Sequence, residues 1–185
     1  MPSDKDRLYV ALYARGGSAT MPGGEDQYHW ALLVGPKTED RDARGMRFHA
    51  KEGLALVNGQ GQSVWSFEER EIGMAPTAMI LVRVMVAKIK NRDRVLSILR
   101  GLPIRGGEAG WNCVAWVKEA LEALQRDGKA LGASRVDWTT VRDAAMQYVR
   151  EKEAAHRFDG QAESGQFDVS KVPTWDLLTG REAVP

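Results

Sequence analysis

Apolar residues are distributed along the chain in two distinct ways. Up to about residue 90 they form short runs rich in β-branched and aromatic side chains; beyond it they recur at steps of three or four. Arg7 to Ala14 (RLYVALYA) ends at Gly16-Gly17, the pattern of a strand closing into a loop, and Ser18 to Asp26 reads as an irregular connection. Tyr28 to Gly35 (YHWALLVG) is a second strand, stopped by Gly35-Pro36. Its period of two puts His29, Ala31 and Leu33 on one face and Trp30, Leu32 and Val34 on the other. Thr38 to Arg44 reads as a charged hairpin tip, with Met46 to Lys51 (MRFHAK) returning as a strand that carries His49. Two more strands are predicted at Ser63 to Glu69 and at Ala78 to Lys88.

The helical half begins at Asn91, a suitable N-cap for Arg92 to Arg100. After a loop from Pro103 to Gly110, Trp111 to Arg126 places Val114, Val117, Leu121 and Leu124 on one stripe and stops at Asp127-Gly128. A third helix is predicted from Asp137 to about His156. The tail from Asp159, with Gly, Ser, Pro and isolated aromatics, either wraps over the domain or frays. The sum is an α+β fold, an antiparallel sheet packed on helices. At 185 residues it reads as one domain, with a core over residues 1–127 and a C-terminal helix and tail over 128–185.

Composition narrows the function classes. With 43% hydrophobic and 28% charged residues the chain resembles ordinary soluble globular proteins. Lys and Arg total 26 against 25 Asp and Glu, a formal charge of +1, which offers no electrostatic case for a nucleic-acid partner. No apolar run reaches bilayer length and the opening MPSDKDR does not suit a signal peptide, so no integral membrane segment is expected. A single cysteine excludes an internal disulfide and suits a reducing cytoplasm. The Gly-Gly pairs lack the Lys-Ser/Thr of a phosphate loop, so neither nucleotide nor other cofactor is expected. Oligomeric state is left open.

Cys113 is the centre of the chemical reading. A thiol in the first turn of a helix meets unpaired backbone N–H groups and the positive end of the helix dipole, which favours thiolate. Asn112 before it suits the N-cap, and Gly106, Gly107 and Gly110 allow close approach to the backbone. The competing reading is a small buried hydrophobe, and spacing alone does not separate the two. A nucleophile also needs a base, and His29 and His49 sit on neighbouring strands where both side chains can share one side of the sheet. His156, near a helix C-terminus, suits a capping cation instead. Trp30 and Trp111 adjoin the pair and are candidates to line a substrate cleft, whereas Trp65, Trp116 and Trp138 read as core.

The strings Tyr28-His29-Trp30-Ala31-Leu32-Leu33-Val34-Gly35, Phe48-His49-Ala50 and Asn112-Cys113 resemble, in that order, the His, His and Asn-Cys blocks of the lecithin retinol acyltransferase family. The HRAS-like suppressor phospholipase/acyltransferases are the most similar branch. These belong with the NlpC-type peptidases to a papain-like thiol-hydrolase superfamily, the acyltransferases being circularly permuted so that histidines precede the cysteine. The resemblance covers about Arg7 to Arg126. It implies a permuted papain-like fold, His29 as general base, His49 as the polar residue that orients it, and Cys113 as nucleophile.

The block Asn112-Cys113-Val114-Ala115-Trp116 stands where that family has Asn-Cys-Glu-His-Phe, and the histidines lie 49 − 29 = 20 residues apart, which makes Thr38 to Gly45 an extension. Without a hydrophobic C-terminal anchor, the expected substrate shifts from membrane lipid toward a small-molecule or other acyl compound, with Trp30, Trp111 and Asn112 contacting it. The leading expectation is a cysteine hydrolase or acyltransferase working through a thioester. A catalytically silent binding module on the same fold is the alternative, and a metal site built from His29, His49 and Cys113 a weaker third, for want of a second cysteine or a carboxylate at recognisable spacing.

Overall fold

A computed structural model describes residues 5–185. The chain runs β1 (Arg7–Ala14), a short 3-10 turn (Glu25–Gln27), β2 (Tyr28–Gly35), β3 (Arg44–Val57), β4 (Gln60–Gly73) and β5 (Ile80–Ile89). It continues through α1 (Arg92–Arg100), α2 (Cys113–Asp127), β6 (Leu131–Ser134), α3 (Trp138–Ala154), β7 (Thr174–Asp176) and β8 (Arg181–Val184). The result is a mixed α+β fold, with one open sheet of order β4-β3-β2-β1-β5-β7-β8 and β6 pairing β5 off that path.

The alternation read in Tyr28 to Gly35 is realised as two unequal cores. Tyr28, Trp30, Leu32 and Val34 join the large core under the helices, together with Val114, Val117, Leu121 and Leu124 of α2 and Val141, Ala145, Tyr148 and Val149 of α3. Ala31 and Leu33 face the other way into a smaller cluster with Tyr9, Ala11, Tyr13, Met74 and Met85. One sheet face is thus covered by helices and the other only by loops. Among the described residues no helix is long and apolar enough to cross a membrane.

The helices start where their caps dictate. Asn91 Oδ1 accepts from Arg94 N, and Asp137 Oδ2 accepts from Thr140 N. Asn112 Oδ1 accepts from both Val114 N and Ala115 N, so α2 begins at Cys113 and Trp111 lies before it rather than in it.

Three features differ from the sequence expectation. β3 and β4 are each 14 residues long, more than twice the predicted β3, because they are joined by the tight turn at Asn58-Gly59 (φ 52° and 75°). Such positive dihedrals are what an Asn-Gly pair accommodates and what a two-residue hairpin requires. β6 fills the interval between α2 and α3. The tail neither frays nor merely wraps: β7 pairs with β5 in parallel, and β8 returns antiparallel beside it. The sheet is therefore mixed, not wholly antiparallel.

The tail docks through polar atoms that hydropathy does not reveal. Arg83 N donates to Pro173 O, and the Arg83 Nε–H donates to the buried Thr174 Oγ1 at 2.8 Å. Tyr148 Oη and Lys152 Nζ both reach Glu182 of β8, each at 2.6 Å. Removing one partner of a buried hydrogen bond leaves the other unsatisfied, at a cost of about 1–3 kcal/mol. Thr174→Val should therefore destabilise the protein by that amount in urea unfolding, whereas an exposed control such as Thr179→Val should change it little.

Candidate functional site

The site forms where two strands part. The β2–β3 ladder runs only from Val34↔Met46 to Leu32↔Phe48, so toward His29 and His49 the strands are no longer bonded to each other. β3 stays paired with β4 throughout, which fixes His49 directly opposite Glu68. Helix α2 packs on β2 and β3, and Cys113 at its first turn takes a hydrogen bond from the Trp30 backbone N–H, beyond the last rung of the β2–β3 ladder.

Three side chains form a linear chain across this gap. His29 Nε2 lies 2.5 Å from His49 Nδ1, and His49 Nε2 lies 2.9 Å from Glu68 Oε1. Glu68 is held ionised, its pKa lowered to about 2 by hydrogen bonds from Lys51 and His49. An ionised carboxylate only accepts, so His49 must carry its proton on Nε2. Burial lowers the pKa of His49, with the Glu68 hydrogen bond opposing, and burial lowers that of His29 to about 4, with the neighbouring His49 and Arg47 adding to the effect. Both rings are therefore neutral at pH 7. A neutral His49 with Nε2–H has a bare Nδ1, so His29 must donate to it from its own Nε2. That leaves Nδ1 of His29 as the basic nitrogen, with no hydrogen-bond partner among the described residues.

The structure overturns the expectation of a resting thiolate at Cys113. The side chain is 1% exposed, and burial raises the thiol pKa above its ordinary value. The N–H groups of Trp30, Val114 and Cys113 itself, together with the Arg15 charge, pull in the other direction without prevailing. Desolvation outweighs the helix start. No hydrogen bond joins the thiol to either imidazole among the described residues. Arg15, anchored by Nη1 on Asp26 O at 2.9 Å, presses electrostatically on both His29 and Cys113.

The residues expected to contact substrate lie deeper than the sequence suggested. Trp30 is fully buried, its indole N–H donates to Glu25 O, and its ring packs on Trp138; it offers the site a backbone N–H rather than a cleft wall. Trp111 is largely buried, packed edge-on against Trp65 with Nε1 donating to Glu119. Asn112 spends its side-chain oxygen on the helix cap. The preceding loop closes against the same cluster, since a Cβ on Gly106 would stand 3.0 Å from Trp65 Cβ. Glu68 and Lys51 were absent from the sequence reading. Their signal is the register of β3 on β4, which pairs His49 with Glu68 and becomes readable only once the Asn58-Gly59 turn fixes the alignment. The described residues contain no group of three or more His, Cys, Asp or Glu side chains placed to hold a metal ion.

The chain belongs to a family of unknown function, DUF6914, whose model matches residues 5–184. No curated protein and no solved structure matches it.

The buried neutral imidazoles make stability depend on pH. His29 binds a proton near pH 4 in the folded protein and near 6.5 when unfolded, so between those values the unfolded chain takes up more protons. The contribution is complete above about pH 6.5 and falls as the pH drops toward 4, by on the order of 2–3 kcal/mol for His29. Urea unfolding across that window should show this loss, and His29→Asn should flatten it. A His29→Asn variant as pH-dependent as the parent would show that His29 is not held neutral.

Proposed function

We propose that this member of DUF6914 is a cysteine-dependent hydrolase or acyltransferase acting on an amide, ester or thioester, with the permuted papain-like order His, His, Cys that its motifs share with the lecithin retinol acyltransferase family. The observation that carries the reading is the Glu68–His49–His29 chain, whose proton order leaves one basic nitrogen on the strand that also hydrogen-bonds the helix-start thiol.

In this reading His29, which the alternation of β2 groups with Ala31 and Leu33 while Cys113 sits in the helix-side core, turns into the gap where β2 and β3 part, and its Nδ1 takes the Cys113 proton as the sulfur attacks the substrate carbonyl. The resting pair is neutral, so the proton moves only as the sulfur attacks and the developing charges are stabilised by the groups around them. His49 and Glu68 hold the imidazolium that forms, as a carboxylate-oriented imidazole does in other nucleophile–base pairs. The backbone N–H groups converging on Cys113, from Trp30, Val114 and the cysteine itself, are candidates to receive the negative oxygen of the tetrahedral intermediate. Collapse gives a thioester on Cys113 while the leaving group departs with the proton from His29. Water or another acceptor then attacks the thioester, again deprotonated by His29, and regenerates the thiol.

The burial of Cys113 also favours a second reading, a binding module that retains the fold with an inert thiol. Incubating the protein with acyl-thioesters, activated esters, amides and phospholipid vesicles, and reading the intact mass, separates the two. The expected result is an acyl adduct on Cys113, absent in Cys113→Ala and His29→Ala. Glu68→Gln should slow its formation by about ten- to a hundredfold while leaving the fold intact. His49→Ala should reduce turnover less than Cys113→Ala. An adduct that forms at the parental rate in Glu68→Gln would remove the relay from the mechanism, and no adduct from any substrate would leave the binding module standing.

A further inference from the structure

The sheet face away from the helices carries a cavity of about 490 Å³ with an apolar floor that includes Tyr13, Leu33 and Ile80. Four arginines line it, and their pairing is uneven. Arg83 is matched by a bidentate Glu39 and Arg44 by Glu71. Arg47 and Arg70 are instead Cα partners directly opposite each other in the β3–β4 register, on the same face of the sheet. Like charges so placed repel, and natural sheets usually put an opposite charge there. Arg70 has no ion pair among the described residues.

Arg47 is little better served. Its single carboxylate contact among the described residues is Glu68 Oε1 at 3.3 Å, an oxygen that His49 already occupies at 2.9 Å, while the other Glu68 oxygen is taken by Lys51. Its Nε is buried without a partner among the described residues, and its guanidinium lies 5.5 Å from the Tyr13 ring centroid. A buried unsatisfied donor and an uncompensated like-charge pair are each destabilising, and both lie at one end of the same cavity.

We propose that Arg47 and Arg70 form the anion-binding end of a small-molecule site whose ligand is a carboxylate or phosphate carried on an apolar body. The guanidinium forks match planar and tetrahedral oxyanions. An anion between them cancels the repulsion and supplies the missing acceptor, while the apolar body covers Tyr13, Leu33 and Ile80. The volume suits a small molecule rather than a polymer. The inference does not depend on Cys113, which lies on the helix side of the sheet.

Octyl phosphate and octanoate are the probes, titrated by calorimetry into the full chain, with octanol and inorganic phosphate as half-ligands. Both anionic amphiphiles should bind more tightly than either half-ligand, and Arg70→Gln should weaken them by about tenfold or more. The same substitution should raise the melting temperature of the ligand-free protein by about 1–3 °C, because it removes the repulsion. A merely structural arginine would lower it. No binding of either amphiphile at millimolar concentration, or binding that Arg70→Gln leaves unchanged, overturns the proposal. So does Arg70-dependent sedimentation with phosphatidylglycerol vesicles in the absence of amphiphile binding, which would make the anion a lipid headgroup.

Discussion

A carboxylate that cannot give up its charge fixes every proton along the chain it terminates. Glu68 accepts from Lys51 and from His49, and with its pKa near 2 it has no proton to offer. Each imidazole in turn has one donor and one acceptor nitrogen, so the choice at Glu68 sets the tautomer of His49 and then of His29. The alternative arrangement would aim two lone pairs at each other across 2.5 Å. Which nitrogen of His29 is basic is thus a consequence of the His49–Glu68 cross-strand pair, and β3 must stay bonded to β4 for it to hold. This gives a reason for the long β3–β4 ladder to continue past the point where β2 leaves β3.

The parting of β2 and β3 creates the opening and also sets its electrostatics. Strand ends that separate leave backbone N–H groups without ladder partners, and the Trp30 N–H is directed to sulfur. Three N–H groups and a nearby arginine favour the thiolate, yet the 1% exposure of Cys113 keeps the thiol protonated. The same burial holds His29 neutral. Thiol and imidazole are therefore both in their uncharged forms, and in the proposed mechanism a proton passes between them only when something in the gap stabilises the resulting ion pair.

Some of this was legible in the residues and some was not, for physical reasons. The period of two in β2 correctly separated Trp30, Leu32 and Val34 from Ala31 and Leu33, because one face is buried under helices. Asn91, Asn112 and Asp137 marked helix starts because their short polar side chains satisfy N–H groups that nothing else can reach. The tail was not legible, since three- and four-residue strands held by Arg83, Thr174 and Glu182 leave no hydrophobic period. Nor was Glu68: in sequence it is one of many charged residues, and only its register against His49 distinguishes it. Trp30 and Trp111 were drawn toward the site by adjacency in sequence, but the alternation that puts His29 on one face puts Trp30 on the other.

Glu68 also joins the histidine chain to the arginine-lined cavity, since His49, Glu68, Arg47 and Arg70 share one face of the sheet. It receives Lys51, His49 and, more distantly, Arg47, one more donor than its two oxygens hold closely. Since His49 is neutral, the local balance is one carboxylate against two cations, and Arg70 opposite Arg47 adds a third. The excess positive charge falls on the face away from the helices, next to the imidazoles, and contributes with burial to keeping His29 unprotonated. An anion held by Arg47 would reduce that charge and so make a proton on His29 less unfavourable. On the proposed reading of the cavity, its ligand and the basic nitrogen would thus be coupled through a single guanidinium on one face of the sheet, without any movement of the backbone.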